Sequence, residues 1–344
     1  MFSSKITKYF IVLGVIAAST YFASNYRGTL ETKDDYEMVK KYLLNDSPLY
    51  GYNRPKLWIH TKYELNSRKW KSFHSRTSTD LNQPYIHLCI KTIINHCGDD
   101  FNICLIDDDS FSKLIPNWDI DLAKVAEPMR SQLREIGLLK LVYYFGGMVV
   151  PNSFVCLKNL KGLYDLKMTT KTPFFCENVN RSVNIAKGTS TRQFVPDLTL
   201  FGCEKNSETV KEIIEILKKE VDTHFTNEGE FLGNVSHLLM DMAELNKINV
   251  LGGELIGVKT ATKKQVTVDN LLEERFIQFH PMIYGIYIPE DEILKRTKYQ
   301  WFAVMSGEEL LQKKMIISKY ISASIVDSSD EYYKSTEKRS VVSL

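Results

Sequence analysis

The stretch from Pro84 to Ile106 constrains the fold more than any other. Ile86, Cys89, Ile90, Ile93, Ile94 and Cys97 recur at spacings of three and four, which puts them on one face of a helix. Pro84 suits the start of that helix, and Gly98 suits its end. Residues 101–106 (FNICLI) then read as a buried strand. An earlier apolar run, residues 56–60 (KLWIH), follows Pro55 and has the same character. Strand, helix and strand with short links imply a parallel sheet, so the chain reads as α/β.

The pattern continues downstream. Residues 128–145 form a second helix with Leu133, Gly137, Leu141 and Tyr144 inward, and Gly146 and Gly147 end it. Residues 148–150 enter another strand, which residues 154–157 carry on past Pro151. A further strand at 198–202 precedes a helix at 208–225, with Asn206 or Ser207 as its cap and Ile213, Ile214, Leu217 and Val221 inward. After Gly252 the pattern loses its regularity. Length alone allows two domains among 344 residues, but open α/β sheets often run longer as one unit. One domain over 55–326 is the expectation. The net charge of +2 shows no basic excess, so no nucleic-acid partner is expected.

The ends differ from this centre. Lys5 and Lys8 precede an apolar run from Tyr9 to Ala23 of about 15 residues, shorter than the roughly 20 of a spanning helix. Residues 1–25 are therefore either a cleaved signal peptide, with Ala17, Ala18, Ser19 and Ala23 as small residues for cleavage, or an uncleaved single-pass type II anchor oriented by the lysines. The anchor is the preferred reading, with membrane attachment through the N-terminal helix. Residues 26–54 read as a polar stem and 327–344 as a disordered tail. A luminal chain permits disulfides among the six cysteines, whose connectivity the sequence leaves open. Sequons at Asn45, Asn180 and Asn234 are near chance frequency.

Residues 138–157 (LLKLVYYFGGMVVPNSFVCL) resemble the glycosyltransferase group that includes the yeast Golgi mannosyltransferases and bacterial capsular polysaccharide synthesis proteins. Tyr143, Tyr144, Phe145, Gly146 and Gly147 match that group's turn, and Met148, Val149 and Val150 match the strand after it. The opening strand ending at His60, the helix and strand at 85–106, and Asp197 to Gly202 before the helix at 208–225 agree in order. The resemblance covers roughly residues 55–225. It implies a GT-A-like domain, a mostly parallel sheet flanked by helices, that uses a nucleotide-sugar donor and a glycan or glycoprotein acceptor. The proline-containing strand is also similar to that of predicted giant-virus proteins, which implies a virion or viral assembly membrane, while the N-terminal signal or anchor points to a secretory-pathway lumen.

The group's next feature is Asp-x-Asp, whose carboxylates hold the Mn²⁺ or Mg²⁺ that neutralises a diphosphate leaving group. Here those positions are Pro151, Asn152 and Ser153, which removes the usual metal site. Glu135 and Leu138 fall where the group carries an Asp and an Arg for the nucleotide. The resemblance therefore nominates His60, Asp107, Asp108, Glu135, Gly146, Gly147, Asn152 and Ser153 for the nucleotide sugar, and Asp197 and Glu177 as acceptor-side bases. No metal is assigned, and Mn²⁺ or Mg²⁺ enters only if Asp107 and Asp109 replace the missing pair. Blander readings stand beside these. Asp107–Asp109 also suit a turn that caps the next helix, and Asp119 and Asp121 suit helix capping. His87, Cys89, His96 and Cys97 do not converge as zinc ligands on one helix. His280 suits a loop and the four tryptophans suit packing. Two functions follow: a glycosyltransferase-like protein working without the Asp-x-Asp site, or a non-catalytic relative that binds glycans or serves a membrane or virion structure.

Overall fold

A computed structural model describes residues 54–62, 83–181, 192–224 and 228–325. The chain divides into two units, Met1–Asp46 and Ser47–Leu344. The first lies wholly outside the described residues, so the expectations for an anchor or signal at 1–25, for nearly all of a stem and for a tail at 327–344 fall there too. Among the described residues no helix is long and apolar enough to cross a membrane.

Lys56–His60 forms β1 and Asn102–Ile106 forms β2, paired in parallel from Lys56 with Asn102 to His60 with Ile106. Both are buried along all but their first residue, as continuous apolar strands covered on both faces must be. Helix α1 (Tyr85–Cys97) lies between them in sequence and buries Ile86, Cys89, Ile90, Ile93 and Cys97. Helix α2 (Asp108–Leu114) starts directly after β2 because Asp107 caps it, accepting the Ser110 N–H at 2.9 Å. Helix α3 (Met129–Phe145) ends at Gly146, whose φ of 70° turns the chain back. Gly147 opens β3 (Gly147–Val149) at φ 100°. A Cβ there would sit 2.1 Å from the Lys56 carbonyl oxygen, so only glycine lets β3 lie this close to β1.

The strand does not carry on past Pro151. The last ladder bond runs from the Val150 N–H to the Trp58 carbonyl at 3.0 Å. Proline has no N–H to continue it, and a turn closes with Phe154 N–H to Pro151 carbonyl at 3.1 Å. Phe154–Cys156 becomes β4, which pairs antiparallel with β8 (Gly285–Tyr287) in a separate two-stranded sheet.

After helix α4 (Lys161–Met168) come β5 (Phe174–Val179) and β6 (Phe194–Cys203). The large sheet has the order β2-β1-β3-β6-β5-β7, with β7 at Asn249–Leu251. Strand β6 runs antiparallel to both β3 and β5, while β5 and β7 are parallel. Five strands therefore point one way and β6 the other: an α/β fold with a mostly parallel central sheet flanked by helices. Helices α5 (Glu208–His224) and α6 (Glu228–Glu244) join α3 over one face of the sheet. Their buried side chains, Val210, Ile213, Leu217, Phe231, Val235 and Leu239, share one core with Trp58, Leu139, Val149 and Phe201. Short helices follow β7, among them α7 (Val268–Leu272), α8 (Glu290–Lys295), α9 (Gln300–Ala303) and α10 (Gly307–Gln312).

Candidate functional site

Ligands of open α/β sheets bind beyond the carboxyl ends of the strands, where the loops diverge. A cavity of about 170 Å³ occupies that edge. His60 and Lys62 reach it from the end of β1, Val149 to Asn152 from the end of β3, and Val179 and Arg181 from the end of β5. Because β6 is reversed, its amino end meets the same edge and delivers Asp197 and Thr199. Glu135 and Arg134 enter from α3, Glu228 and Val235 from α6, and Tyr287, Glu290 and Asp291 from β8 and α8.

Asp197 is the most fully held of the carboxylates. Thr199 donates its N–H to Oδ1 at 2.9 Å and its hydroxyl to Oδ2 at 2.7 Å, and Asn178 donates to Oδ2 at 2.8 Å. Burial still raises its pKa from the ordinary aspartate value, against the pull of Arg181. Glu135 has less support. Burial, followed by the charge of Asp197, pushes it up to about 8, and its Oε2 is buried with no hydrogen-bond partner among the described residues. Asn152 is 4% exposed, and its Oδ1 likewise has no partner. Two such oxygens on one cavity are a place where a ligand's polar groups fit, since leaving them bare costs about 1–3 kcal/mol each.

The cations are arranged in two groups. Lys62 lies 3.2 Å from Glu290 Oε1 and 3.2 Å from Asp291 Oδ1; burial opposes its charge, but these carboxylates outweigh it and raise its pKa. Arg181 contacts the Tyr287 hydroxyl at 3.5 Å. Arg134 is committed elsewhere, donating two hydrogen bonds to Asp108 at 2.9 and 2.7 Å. His60 adds a third at 2.9 Å and stacks on Phe111 with ring centroids 5.3 Å apart. Burial lowers the His60 pKa despite Asp108, so the neutral ring carries its proton on Nε2, facing Asp108. Burial disfavours the Asp108 carboxylate, yet the bonds from His60 and Arg134 prevail and hold it well below the usual range.

Of the residues nominated from sequence, His60, Glu135, Asn152 and Asp197 line the cavity together. The others do not line it. Asp107 is taken up as a helix cap, and Asp108 sits behind the wall, clamped between α3 and β1. Gly146 and Gly147 shape the backbone, with the Gly146 carbonyl accepting from Trp58 Nε1 at 3.0 Å. Ser153 is fully buried and donates to the Ile288 carbonyl at 2.7 Å. Glu177 is paired with Lys259 and accepts the Gly253 N–H at 3.2 Å, on the other flank of β5. His280 accepts the Met282 N–H through Nδ1, and Asp121 caps the short helix at 122–124. Lys62, Arg181, Glu290 and Asp291 were not foreseen. The rule that ligands gather past strand ends reaches Lys62, two residues beyond β1. It reaches Arg181 only once β5 is recognised, and nothing in the sequence marks Glu290 and Asp291.

The donor set does not suit the divalent cation that the resemblance implies. Pro151 has no ligating side-chain atom, Asn152 offers one neutral side-chain oxygen, and Ser153 is turned away into the small sheet. Asp109 is exposed on α2 and Asp107 is a cap. Among the described residues no three His, Cys, Asp or Glu side chains are grouped to hold a metal ion.

No protein-family model matches the sequence, and no curated protein matches it either. Among the solved structures it is similar to are glycosyltransferases. The GlyE glycosyltransferase of Streptococcus pneumoniae TIGR4 aligns over 79% of this chain and 64% of that one, at 13% identity and a TM-score of 0.37. The apo form of GlyE aligns over 58% and 46%, at 10% identity and 0.34. The PaToxG glycosyltransferase aligns over 86% and 97%, at 13% identity and 0.32. This chain thus spans about half to two thirds of the GlyE chains. Likeness this distant leaves the chemistry to this chain's own site.

Proposed function

We propose that the cavity holds the sugar ring of a nucleotide-sugar donor and that the protein transfers this sugar to a hydroxyl acceptor. One observation carries the reading: a monosaccharide-scale cavity at the carboxyl edge of the sheet brings together two half-buried carboxyl groups of raised pKa, Glu135 and Asp197, beside an Asn152 oxygen with no partner among the described residues. Sugar hydroxyls are donors that such acceptors fit. Glu135 is protonated at neutral pH and donates or accepts as a neutral partner. Asp197, steadied by Thr199, Asn178 and Arg181, is the base that takes the acceptor's proton as its oxygen attacks the anomeric carbon. The bond to the diphosphate breaks with its electron pair staying on the phosphate oxygen, and Lys62 and Arg181 are the cations on hand for that charge.

The test is a panel of nucleoside diphosphates and their sugars, read by thermal shift and by release of free nucleotide. A shift of the same size with chelator and with Mn²⁺, together with nucleotide release, supports the reading. Asp197→Asn should lower turnover by about 10²–10⁴-fold while nucleotide binding persists. No shift with any nucleotide would sink it. A second reading, a non-catalytic glycan-binding protein, is favoured by the charge of the cavity. Its wall carries five carboxyl groups against Lys62, Arg134 and Arg181, which suits a neutral polyol better than a diphosphate. Binding of free sugars without nucleotide would select it.

A further inference from the structure

We propose that Cys97 and Cys156 form a disulfide when the chain folds under oxidising conditions, tying α1 to the small sheet. The inference is independent of the cavity. The two sulfurs lie 3.9 Å apart although the residues are 59 positions apart in sequence. Both side chains are fully buried. The backbone around them is fixed by other bonds, so their approach does not depend on a chance side-chain rotation. The Cys156 N–H donates to the Thr92 hydroxyl at 2.8 Å, one turn and a half before Cys97 on α1. Asn159 donates to Asp100 at 2.5 Å just beyond the two cysteines. Ser324 closes the far side, donating to the Cys156 carbonyl at 2.5 Å and meeting His96 Nε2 at 3.0 Å. A disulfide of about 2.0 Å requires the sulfurs to close from their 3.9 Å separation.

The other four cysteines are also buried thiols, and three face backbone carbonyls: Cys104 that of Asn102, Cys176 that of Gly252 and Cys203 that of Val142. The two partners differ chemically in the folded chain. The hydrogen bond with Cys156 holds the Cys97 thiol below the ordinary range, whereas burial pushes the Cys156 thiol well up. The exchange precedes burial, and either sulfur can attack first as its thiolate. Where Cys97 attacks first, it displaces one thiolate from a small disulfide oxidant such as glutathione disulfide, giving a mixed disulfide. The Cys156 sulfur displaces the second thiolate, forming the protein S–S bond. The oxidant gains two electrons and leaves as two thiols carrying the two protons. Once α1 and the helix at 316–325 are in place, the buried pair is shut off from reductant.

The experiment uses the full chain expressed in an oxidising compartment, with free thiols trapped by N-ethylmaleimide in denaturant and counted by intact mass. Four alkylated cysteines are expected before reduction and all six after it. Digestion without reductant should yield a linked pair of peptides carrying Cys97 and Cys156. Thermal unfolding of the oxidised protein should lie roughly 5 °C above that of the reduced protein. The difference should vanish in Cys97→Ser and persist in Cys104→Ser. Six alkylated cysteines before reduction, or a linkage through any other pair, overturns the proposal, and that count needs no variant to fold.

Discussion

Asp108 shows how one carboxylate can decide the geometry of a site it does not enter. Arg134 grips both its oxygens and His60 adds a third bond, so the end of β1 and the second turn of α3 are set relative to each other. Arg134→Leu leaves the charge without its main partner and should cost about 3 kcal/mol, measured as a fall in the urea midpoint at pH 7. Because the folded Asp108 pKa is depressed, that cost is present above the unfolded value of about 3.9 and fades as pH falls through the folded one. Comparing wild type and variant at pH 7 and at pH 3 checks the sign. Glu135 behaves in the opposite sense. Its folded pKa of about 8 lies above the unfolded value of about 4.3, so the folded state keeps a proton that the unfolded state has released. Stability therefore drops as pH rises between those values. Glu135→Gln should flatten that slope and be the more stable protein at pH 8, by on the order of a few kcal/mol at most. Residue types were a partial guide here. Carboxylates near a strand end were worth naming, but whether each faces a cavity, a cap or an arginine depends on tertiary partners 26 to 82 residues away, as Asp108 with Arg134 and Glu177 with Lys259 show.

At the scale of elements, the junction from α3 through Gly146 and Gly147 into β3 fixes where Asn152 can stand. Gly147→Ala places a Cβ against the Lys56 carbonyl in a backbone region closed to L side chains. The expected cost is about 3–5 kcal/mol, seen as a lower thermal midpoint or as loss of soluble protein. Pro151 then ends the strand and Ser153 anchors the departing chain to Ile288. Ser153→Ala should cost about 1–2 kcal/mol, checked by denaturant unfolding, with no effect on sugar or nucleotide affinity, because the side chain does not reach the cavity. The helices at 85–97 and 129–145 and the strands at 56–60 and 102–106 were legible because period and punctuation agree there. The departure at Pro151 was misread as one continuing strand: the apolar run 154–156 looks the same whether it pairs with β1 or with β8. Strand β5 shows no alternation in FFCENV, and helix α6 has neither a proline at its start nor a glycine at its end to mark it, unlike the helix at 129–145.

Over the whole molecule the ionisable groups of the cavity act on the pH dependence in opposing senses. Glu135 and Asp197 both have raised pKa values and favour the folded state less as pH climbs above about 4. His60, lowered by burial, favours it less as pH falls below about 6.5. Above about pH 6.5 the imidazole no longer opposes Glu135, whose pKa is about 8, so the thermal midpoint should decline from there to pH 8, and a ligand that pairs with Glu135 should reduce the decline. A midpoint that rises steadily over the same range would contradict this ordering of charges. The α/β class and the parallel half of the sheet were readable from the strand–helix–strand order. The reversed β6 was not, since a strand's direction is set by which neighbour it meets and leaves no mark in its own residues. That reversal brings Asp197 to the common edge.

The close seating of β3 on β1 has a consequence for how chains of this shape are recognised. Glycine at 147 answers to a carbonyl oxygen on the neighbouring strand, and that demand is the same whatever stands at 151 to 153. A search keyed to the paired glycines therefore selects for sheet architecture and is blind to chemistry. It will gather catalysts and inert descendants with equal ease, and only the residues after the turn can sort them.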